Sequence, residues 1–236
     1  MRCAVFGAGG GIGAAMVRAL LARDEVSVVH AGSRQGAATA DPRCQSFRFD
    51  LLDEETIRAA AERMAGSGPL DLVIVATGIL QDLPMVRPER SWSAIDPEAF
   101  GRVFAINATG PALIGKHLLP HLAPGGRFAA LSARVGSIGD NRLGGWHAYR
   151  ASKAGLNMLV RNFAIELRRR DPEAIAAVLH PGTVDTGLSR PFQRNVARER
   201  LFDADRAAGQ LLSILGALKP ADSGGFFAWD GSPIDW

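Results

Sequence analysis

Short apolar runs that alternate with longer amphipathic segments constrain the fold of this chain more than any other feature. Helix-like stretches such as IGAAMVRALLARD and DEETIRAAAERMA lie between runs that have the length of strands. The seven runs are CAVF, VSVVHA, QSFRF, LDLVIVA, GRFAAL, AIAAVL and GFFAW. Strands separated by helices indicate βαβ units and a sheet covered on both faces. We therefore predict one α/β domain over residues 1–236, a Rossmann-type, doubly wound fold with a mostly parallel seven-stranded sheet.

The composition argues against several functional classes. The net charge is only +3 and the pI of 9.3 reflects abundant arginine, so we expect no nucleic-acid partner. The RRR at 168–170 is interpreted as the end of a helix, where cations suit the dipole. No run has the length of a membrane span, and the start MRCAVFGAGGGIG breaks into glycines too early for a signal peptide. We expect a cytoplasmic protein without a membrane partner.

The metal-binding residue types are scattered. Cys3 and Cys44 suggest neither a disulfide framework nor a metal cluster. His117 and His121 have one metal-ligand spacing, but no third ligand follows nearby. We therefore predict no metal site.

A glycine-rich loop, FGAGGGIG, follows the first predicted strand and opens the first helix. Gly7 permits a tight turn, and Gly9, Gly10 and Gly11 leave the backbone open to a pyrophosphate. Gly13 lets the helix pack close to the strand, and the helix N-terminus offers free N–H groups to phosphate. The alternative is a flexible turn without a ligand. The βαβ context favours a dinucleotide site.

The segment AYRASKAG contains the only tyrosine of the chain, Tyr149, and one of its three lysines, Lys153. If the segment is helical, residues four apart share one face, so the phenol and the ammonium point into the same space. A free phenol has a pKa near 10, and a nearby ammonium would lower it. The alternative is a surface tyrosine beside a solvated lysine.

Together these motifs resemble the short-chain dehydrogenase/reductase family over essentially the whole chain. The stretch GSIGDNRLGGWHAYRASKAGLN more narrowly resembles the C-factor and sniffer-like carbonyl reductase branch. The resemblance implies hydride transfer between a nicotinamide and a small-molecule carbonyl or alcohol. Tyr149 would be the general acid/base, and Lys153 would tune it and hold the nicotinamide ribose. Asn107 would hold a water that links Lys153 to solvent.

The same resemblance implies a cofactor site built from several loops, among them PGTVDT at 181–186. Its expected residues are Gly7, Gly9, Gly10, Gly11, Ile12, Gly13, Ser33, Arg34, Asp50, Leu51, Ala76, Thr77, Gly78, Tyr149, Lys153, Pro181, Gly182, Thr183, Val184 and Thr186. Asp50 resembles the family's adenine-contacting aspartate, although an N-terminal helix acid is the alternative.

The end of the second strand bears on which nicotinamide is bound. An acid there would bind ribose hydroxyls and repel a 2′-phosphate, and VSVVHAGSR contains none. Arg34 suits a phosphate through its bidentate fork, so NADP(H) is favoured over NAD(H). A surface arginine without a ligand is the alternative.

Two positions depart from the family pattern. The carbonyl-polarising serine is expected three residues before Gly136, where this chain has Ala133. Ser132 is our choice for that role and Ser137 is the alternative. The motif VATG at 75–78 stands where the family often has N-N-A-G. Backbone contacts to the cofactor could survive there, but the sheet-stabilising hydrogen bond of an asparagine could not unless Thr77 replaces it.

We expect a homodimer or homotetramer, because the family commonly pairs the helices that run here through 98–122 and 147–170. Their outward faces are predicted to carry Leu113, Leu156 and Leu159. The rival to an enzyme is an NAD(P)-binding regulatory or signalling protein with little turnover. The arginines where the family has its mobile substrate lid could attract an anionic substrate or form a solvated face. They are at positions 190, 194, 198 and 200.

Overall fold

A computed structural model of the chain describes residues 1–36 and 40–236. Its strands, in chain order, are β1 (Arg2–Phe6), β2 (Val28–Ser33), β3 (Cys44–Arg48), β4 (Leu70–Val75), β5 (Leu122–Leu131), β6 (Ile175–His180), β7 (Thr183–Val184), β8 (Leu201–Phe202) and β9 (Phe226–Ala228). Its helices are α1 (Gly11–Leu21), α2 (Glu54–Ala65), α3 (Pro97–Phe104), α4 (Gly110–Leu118), α5 (His147–Arg170) and α6 (Ala204–Ala217).

The main sheet has seven strands in the order β3-β2-β1-β4-β5-β6-β9, and every neighbouring pair is parallel. The predicted α/β class and the seven predicted strands are therefore confirmed. The strand order reverses between β1 and β4. In doubly wound sheets, ligands bind outside the carboxyl ends of the strands at such a switch point.

Helices cover both faces of the sheet because its central strands, such as β1, β4 and β6, are apolar and buried on both sides. Helices α1 and α6 pack on one face, where Met16, Leu20 and Leu211 are buried. Helices α2, α4 and α5 pack on the other, where Ile57 and Ile114 are buried. The sheet and the helices on its two faces form three layers. Because the strands are parallel, their carboxyl ends lie at the same edge of the sheet.

Helix α6 is absent from the sequence prediction, although its start carries a recognisable signal. Asp203 caps it by accepting a hydrogen bond from the Arg206 amide at 2.7 Å. Leu211, Leu212 and Leu215 then recur at helical spacing and are buried.

The helical stretch across α3 and α4 contains a π-helical turn, Ala105–Thr109. The sequence predicted an interruption at Gly110-Pro111, and the wider turn lies immediately before it. Gly110 stays close to Leu51, since a Cβ there would lie 2.6 Å from that leucine's Cδ2. π-turns of this kind are frequent at functional sites.

Of two predictions about the surface of α5, the one on its terminal arginines is confirmed and the one on its outward leucines is wrong for Leu156. The arginines at 168–170 end α5, as predicted. Leu156 does not lie on an outward face: it is 1% exposed and belongs to the core, because its side of α5 faces the sheet. Leu113 and Leu159 are half-buried. The apolar side chains of α5 that are exposed are instead Met158 and Ile165.

His117 takes part in a contact between helices. Its Nε2 lies 2.9 Å from Oε1 of Glu54 on α2, and the Lys116 Nζ donates to the same oxygen at 2.6 Å.

Across the described residues, no helix combines the length and the apolar character that a membrane crossing needs.

Candidate active site

The glycine loop between β1 and α1 has a shape that side chains would destroy. Gly7 adopts φ +98°, and its carbonyl oxygen accepts a hydrogen bond from the Gly10 amide at 3.0 Å. A Cβ on Gly13 would lie 2.1 Å from that same carbonyl oxygen. Gly10 precedes α1 without a capping side chain, so the first amides of the helix remain available to a ligand.

A cleft of about 400 Å³ opens at this loop, at the switch point of the sheet. Gly9, Ser33, Asp50, Thr77 and Ile79 are among its lining residues. The Ser33 hydroxyl is buried and has no hydrogen-bond partner among the described groups. An unpartnered hydroxyl beside bare backbone fits the phosphate and ribose oxygens of a dinucleotide.

Arg34 and Asp50 also line this cleft. Arg34 is exposed, and no ion pair to it is found within residues 1–36 and 40–236. The Asp50 carboxylate accepts a hydrogen bond from the Leu52 amide at 2.9 Å. The cap of α2 is Asp53, which bonds the Glu55 amide at 3.1 Å, so Asp50 is not the helix cap.

The backbone that follows β4 lies between the glycine loop on one side and Asn107 and Lys153 on the other. The Ala76 amide donates to the Phe6 carbonyl at 2.8 Å and so extends the pairing with β1. The buried Thr77 hydroxyl has no partner in the described part of the chain, so Thr77 does not replace the family's asparagine bond. A Cβ on Gly78 would meet Lys153 Nζ at 3.2 Å.

Asn107 lies in the π-turn and is fully buried. Its Oδ1 accepts from the Ile79 amide at 2.8 Å, and its Nδ2 donates to the Ile79 carbonyl at 2.8 Å. The same Nδ2 donates to the Ser152 hydroxyl at 3.1 Å. These three bonds tie the stretch after β4 to α5. The side chain thus holds the two walls of the site together.

Tyr149 and Lys153 share the buried face of α5, as their spacing predicts. Lys153 Nζ donates to the Leu131 carbonyl at 2.8 Å and lies 6.0 Å from the centre of the Tyr149 ring. Burial lowers the pKa of Lys153 to about 8 and raises the pKa of Tyr149 to about 12. In this structure burial of the phenol raises its pKa, whereas the sequence analysis expected Lys153 to lower it.

The two candidate serines differ in whether their hydroxyl proton is already engaged within the protein. The Ser132 hydroxyl donates to Asn157 Oδ1 at 2.7 Å, in the buried layer between β5 and α5. The Ser137 hydroxyl accepts from the Asp140 amide at 3.1 Å. Ala133 occupies the family's serine position, in extended backbone, and has no donor. The Ser132 proton is therefore engaged with Asn157, whereas the Ser137 hydroxyl, which accepts from Asp140, keeps its own proton available.

The PGTVDT loop is held at both ends. β7 pairs with β8, which fixes the base of the segment 185–200. Gly182 has φ +76°, and a Cβ there would meet the Phe202 ring at 2.7 Å. Thr186 approaches the glycine loop, since a Cβ on Gly11 would lie 2.7 Å from its Cγ2. The four arginines of the segment are exposed, consistent with a solvated face.

Two functional candidates escaped the sequence analysis, Glu89 and Trp146. The buried Glu89 carboxylate accepts from the Ala148 amide at 3.2 Å and so caps the helix that carries Tyr149. Trp146 directly precedes that helix, and its ring centre lies 6.3 Å from that of Tyr149. Glu89 has no sequence signal, because 59 positions separate it from its partner. For Trp146, the paired glycines before it are the available signal.

Comparisons with known proteins agree with this geometry. The sequence model of the short chain dehydrogenase family matches residues 2–197. The C-signal protein of Myxococcus xanthus is 34% identical over 176 residues, which cover 72% of this chain and 95% of that protein. A 1-hydroxy-2-glutathionyl-2-methyl-3-butene dehydrogenase of Rhodococcus sp. (strain AD45) is 31% identical over 188 residues, 79% of this chain and 78% of that protein.

Solved structures agree as well. The NADPH-bound carbonyl reductase from chicken fatty liver superposes with a TM-score of 0.86 at 25% identity, covering 100% of this chain and 94% of that one. The Sniffer carbonyl reductase of D. melanogaster shares the fold with a TM-score of 0.87 at 21% identity, covering 100% and 99%. This chain belongs to the short chain dehydrogenase family and is an NAD(P)-binding oxidoreductase that acts on CH–OH or C=O groups.

Proposed function

We propose that the protein is an NADP(H)-dependent carbonyl reductase or alcohol dehydrogenase, in which Tyr149 is the general acid/base. One observation carries the proposal: Tyr149, Lys153 and Asn107 are buried together, and a Cβ on Gly78, which lines the cleft, would lie 3.2 Å from Lys153 Nζ and 3.3 Å from Asn107 Oδ1. Bound nicotinamide would supply the hydride or accept it. The remaining tasks belong to side chains of this chain.

Tyr149 is suited to carry the proton. With its pKa raised to about 12, the phenol is protonated at neutral pH and can donate to a carbonyl oxygen as negative charge develops there. Lys153, with a pKa near 8, is mostly an ammonium at pH 7. One of its three N–H groups is bonded to Leu131, which leaves two for ribose hydroxyls.

Asn107 positions these groups. Its amide is fully engaged with Ile79 and Ser152, so it acts by fixing the walls of the site around Lys153. A water held beside it could link Lys153 to solvent. With Ala133 at the family's serine position, Tyr149 is the direct hydrogen-bond donor to the substrate in this proposal.

The preference for NADP(H) rests on the adenosine end of the cleft. Arg34 offers an exposed guanidinium beside the unpartnered Ser33 hydroxyl, and β2 ends without an acid. Both groups suit a 2′-phosphate. We further propose a single domain that takes a small carbonyl or alcohol substrate and forms a homodimer or homotetramer through α4 and α5.

The test compares wild type with Tyr149→Phe on a panel of ketones and aldehydes, following loss of the reduced nicotinamide absorbance. Removing the transferable proton should lower kcat by about 10²–10⁴-fold. NADPH affinity, measured by fluorescence titration, should remain nearly unchanged. A variant that keeps more than about a tenth of wild-type kcat would remove Tyr149 from its role. Wild type that binds NADPH but reduces nothing on the panel would favour the regulatory rival.

A further inference from the structure

The backbone just before α5 is strained at a tryptophan. Gly144, Gly145 and Trp146 have φ values of 62°, 66° and 50°, so three consecutive residues are left-handed. The two glycines tolerate this conformation, but a tryptophan resists it because its Cβ approaches the carbonyl oxygen. Within the described ranges, Trp146 is the single non-glycine residue with positive φ. Strain of this kind persists where the surrounding structure enforces it, and it clusters at functional sites.

Contacts from both sides of the strained turn hold Trp146 in place. Its amide donates to the Glu89 carbonyl at 2.6 Å, and the buried Glu89 carboxylate accepts from the Ala148 amide at 3.2 Å. The Arg150 guanidinium donates to the Gly145 carbonyl at 3.0 Å. Trp146 is therefore fixed to the helix that carries Tyr149.

The Trp146 indole lies beside the ring of Tyr149, the proposed proton donor. The Trp146 ring centre lies 6.3 Å from the Tyr149 ring and 5.2 Å from the Phe192 ring, both in edge-to-face geometry. Phe192 comes from the segment 185–200, whose base is fixed by β7 and β8. A carbonyl oxygen that accepts the phenol proton would lie within about 3 Å of the hydroxyl. The Trp146 ring, which contacts the Tyr149 ring, would then be a neighbour of that carbonyl's substituents.

We propose that Trp146 is a specificity-determining residue that selects carbonyl substrates with a planar aromatic substituent; the proposal rests on the function proposed above. An aryl group can stack on or meet the edge of the Trp146 and Phe192 rings, whereas a puckered saturated ring cannot align with them. An anionic substituent is the less favoured alternative. The arginines of segment 185–200 are exposed, while its half-buried Phe192 faces Trp146.

The test uses two ketones that share a carbon skeleton, acetophenone and cyclohexyl methyl ketone. Their dissociation constants are measured by calorimetry on protein saturated with NADP⁺, which cannot reduce them, and their kcat/KM values with NADPH. Wild type should bind and reduce acetophenone roughly three- to tenfold better. Trp146→Leu should abolish that preference, and Trp146→Phe should retain most of it. Trp92→Leu is the matched control, since Trp92 is 80% exposed on the loop after β4.

Trp146→Gly separates recognition from folding, because glycine relaxes the left-handed backbone while it removes the ring. This variant should remain folded, judged by its denaturation midpoint, and should bind both ketones equally. An aryl preference that survives in Trp146→Gly and Trp146→Leu would overturn the proposal, as would equal losses for both ketones. The calorimetric titration requires no turnover. If neither ketone is reduced, the proposed function fails while binding still decides the aryl preference.

Discussion

The nucleotide side of the site is formed mainly by backbone, whereas the proposed substrate side is formed mainly by side chains. On the nucleotide side, the backbone features that shape the cleft are the turn at Gly7, the close packing at Gly13 and the uncapped start of α1. On the proposed substrate side, side chains on irregular segments lie next to Tyr149, with Trp146 before α5 and Phe192 between β7 and β8. The glycine loop on the nucleotide side resembles the family pattern, whereas the chain departs from that pattern at Ala133 and at VATG, residues 75–78.

This difference indicates which parts of the molecule determine substrate specificity. A dinucleotide is the same molecule in every relative that uses it, so the backbone that binds it is constrained by one shape. Substrates differ, and loops carried by a rigid sheet can change side chains without disturbing the fold. Changes on the nucleotide side should therefore act on cofactor binding for every substrate. Changes on the substrate side should discriminate among substrates.

The largest expected effect is on the nucleotide side. Gly13→Ala places a Cβ 2.1 Å from the Gly7 carbonyl oxygen, so the loop must shift. Overpacking of this kind should weaken NADPH binding by about 100-fold, measured by fluorescence titration. Gly209→Ala in α6, where a Cβ would meet nothing within 4 Å, is the control and should leave binding unchanged. Equal, small effects of both changes would mean that the loop is not the phosphate site.

Arg34→Ala sharpens the comparison within the nucleotide side. Loss of a charge-assisted contact to the 2′-phosphate should cost about 1.5–3 kcal/mol in NADPH binding, or roughly 10- to 150-fold, and little in NADH binding. The dissociation constants of both cofactors check this, with Arg168→Ala at the exposed end of α5 as the control. Equal losses for the two cofactors would exclude the phosphate role.

A smaller change is expected at the end of β5, on the substrate side. Ala133→Ser restores a hydroxyl at the family's serine position and should raise kcat/KM about tenfold, less than a preorganised oxyanion donor provides. Ser132→Ala should leave kcat/KM nearly unchanged and lower the free energy of unfolding by about 1–3 kcal/mol, because it leaves Asn157 without its buried donor. If instead Ser132→Ala lowers kcat/KM by about 10²–10³-fold, Ser132 is the polarising group after all.

The sequence was sufficient for features that depend on local pattern. Periodic apolar runs identify the seven strands, and the paired Tyr149 and Lys153 fall on one face of α5 because the helical repeat requires it. Glycine positions in the β1–α1 loop report the backbone conformation directly. Asn107 was found only through the resemblance, since nothing in the pattern indicates a π-turn.

Features that depend on distant contacts could not be predicted. Glu89 caps α5 from another segment, and no local rule links two such positions. Leu156 was assigned to the surface because the pattern of α5 alone does not say which side meets the sheet. The pKa of Tyr149 depends on how completely the phenol is desolvated, which is decided by the packing around it.

The most direct test of the central claim is a titration of Tyr149, which is possible because the chain has 1 tyrosine. Ultraviolet difference absorbance of tyrosinate then reports this residue alone. The ligand-free protein should titrate with a raised pKa of about 12. Saturation with NADP⁺ should lower that pKa, because the positive charge of the nicotinamide ring favours the phenolate. A phenol that titrates near its ordinary value of about 10, with and without NADP⁺, would contradict the assignment of Tyr149 as the buried proton donor.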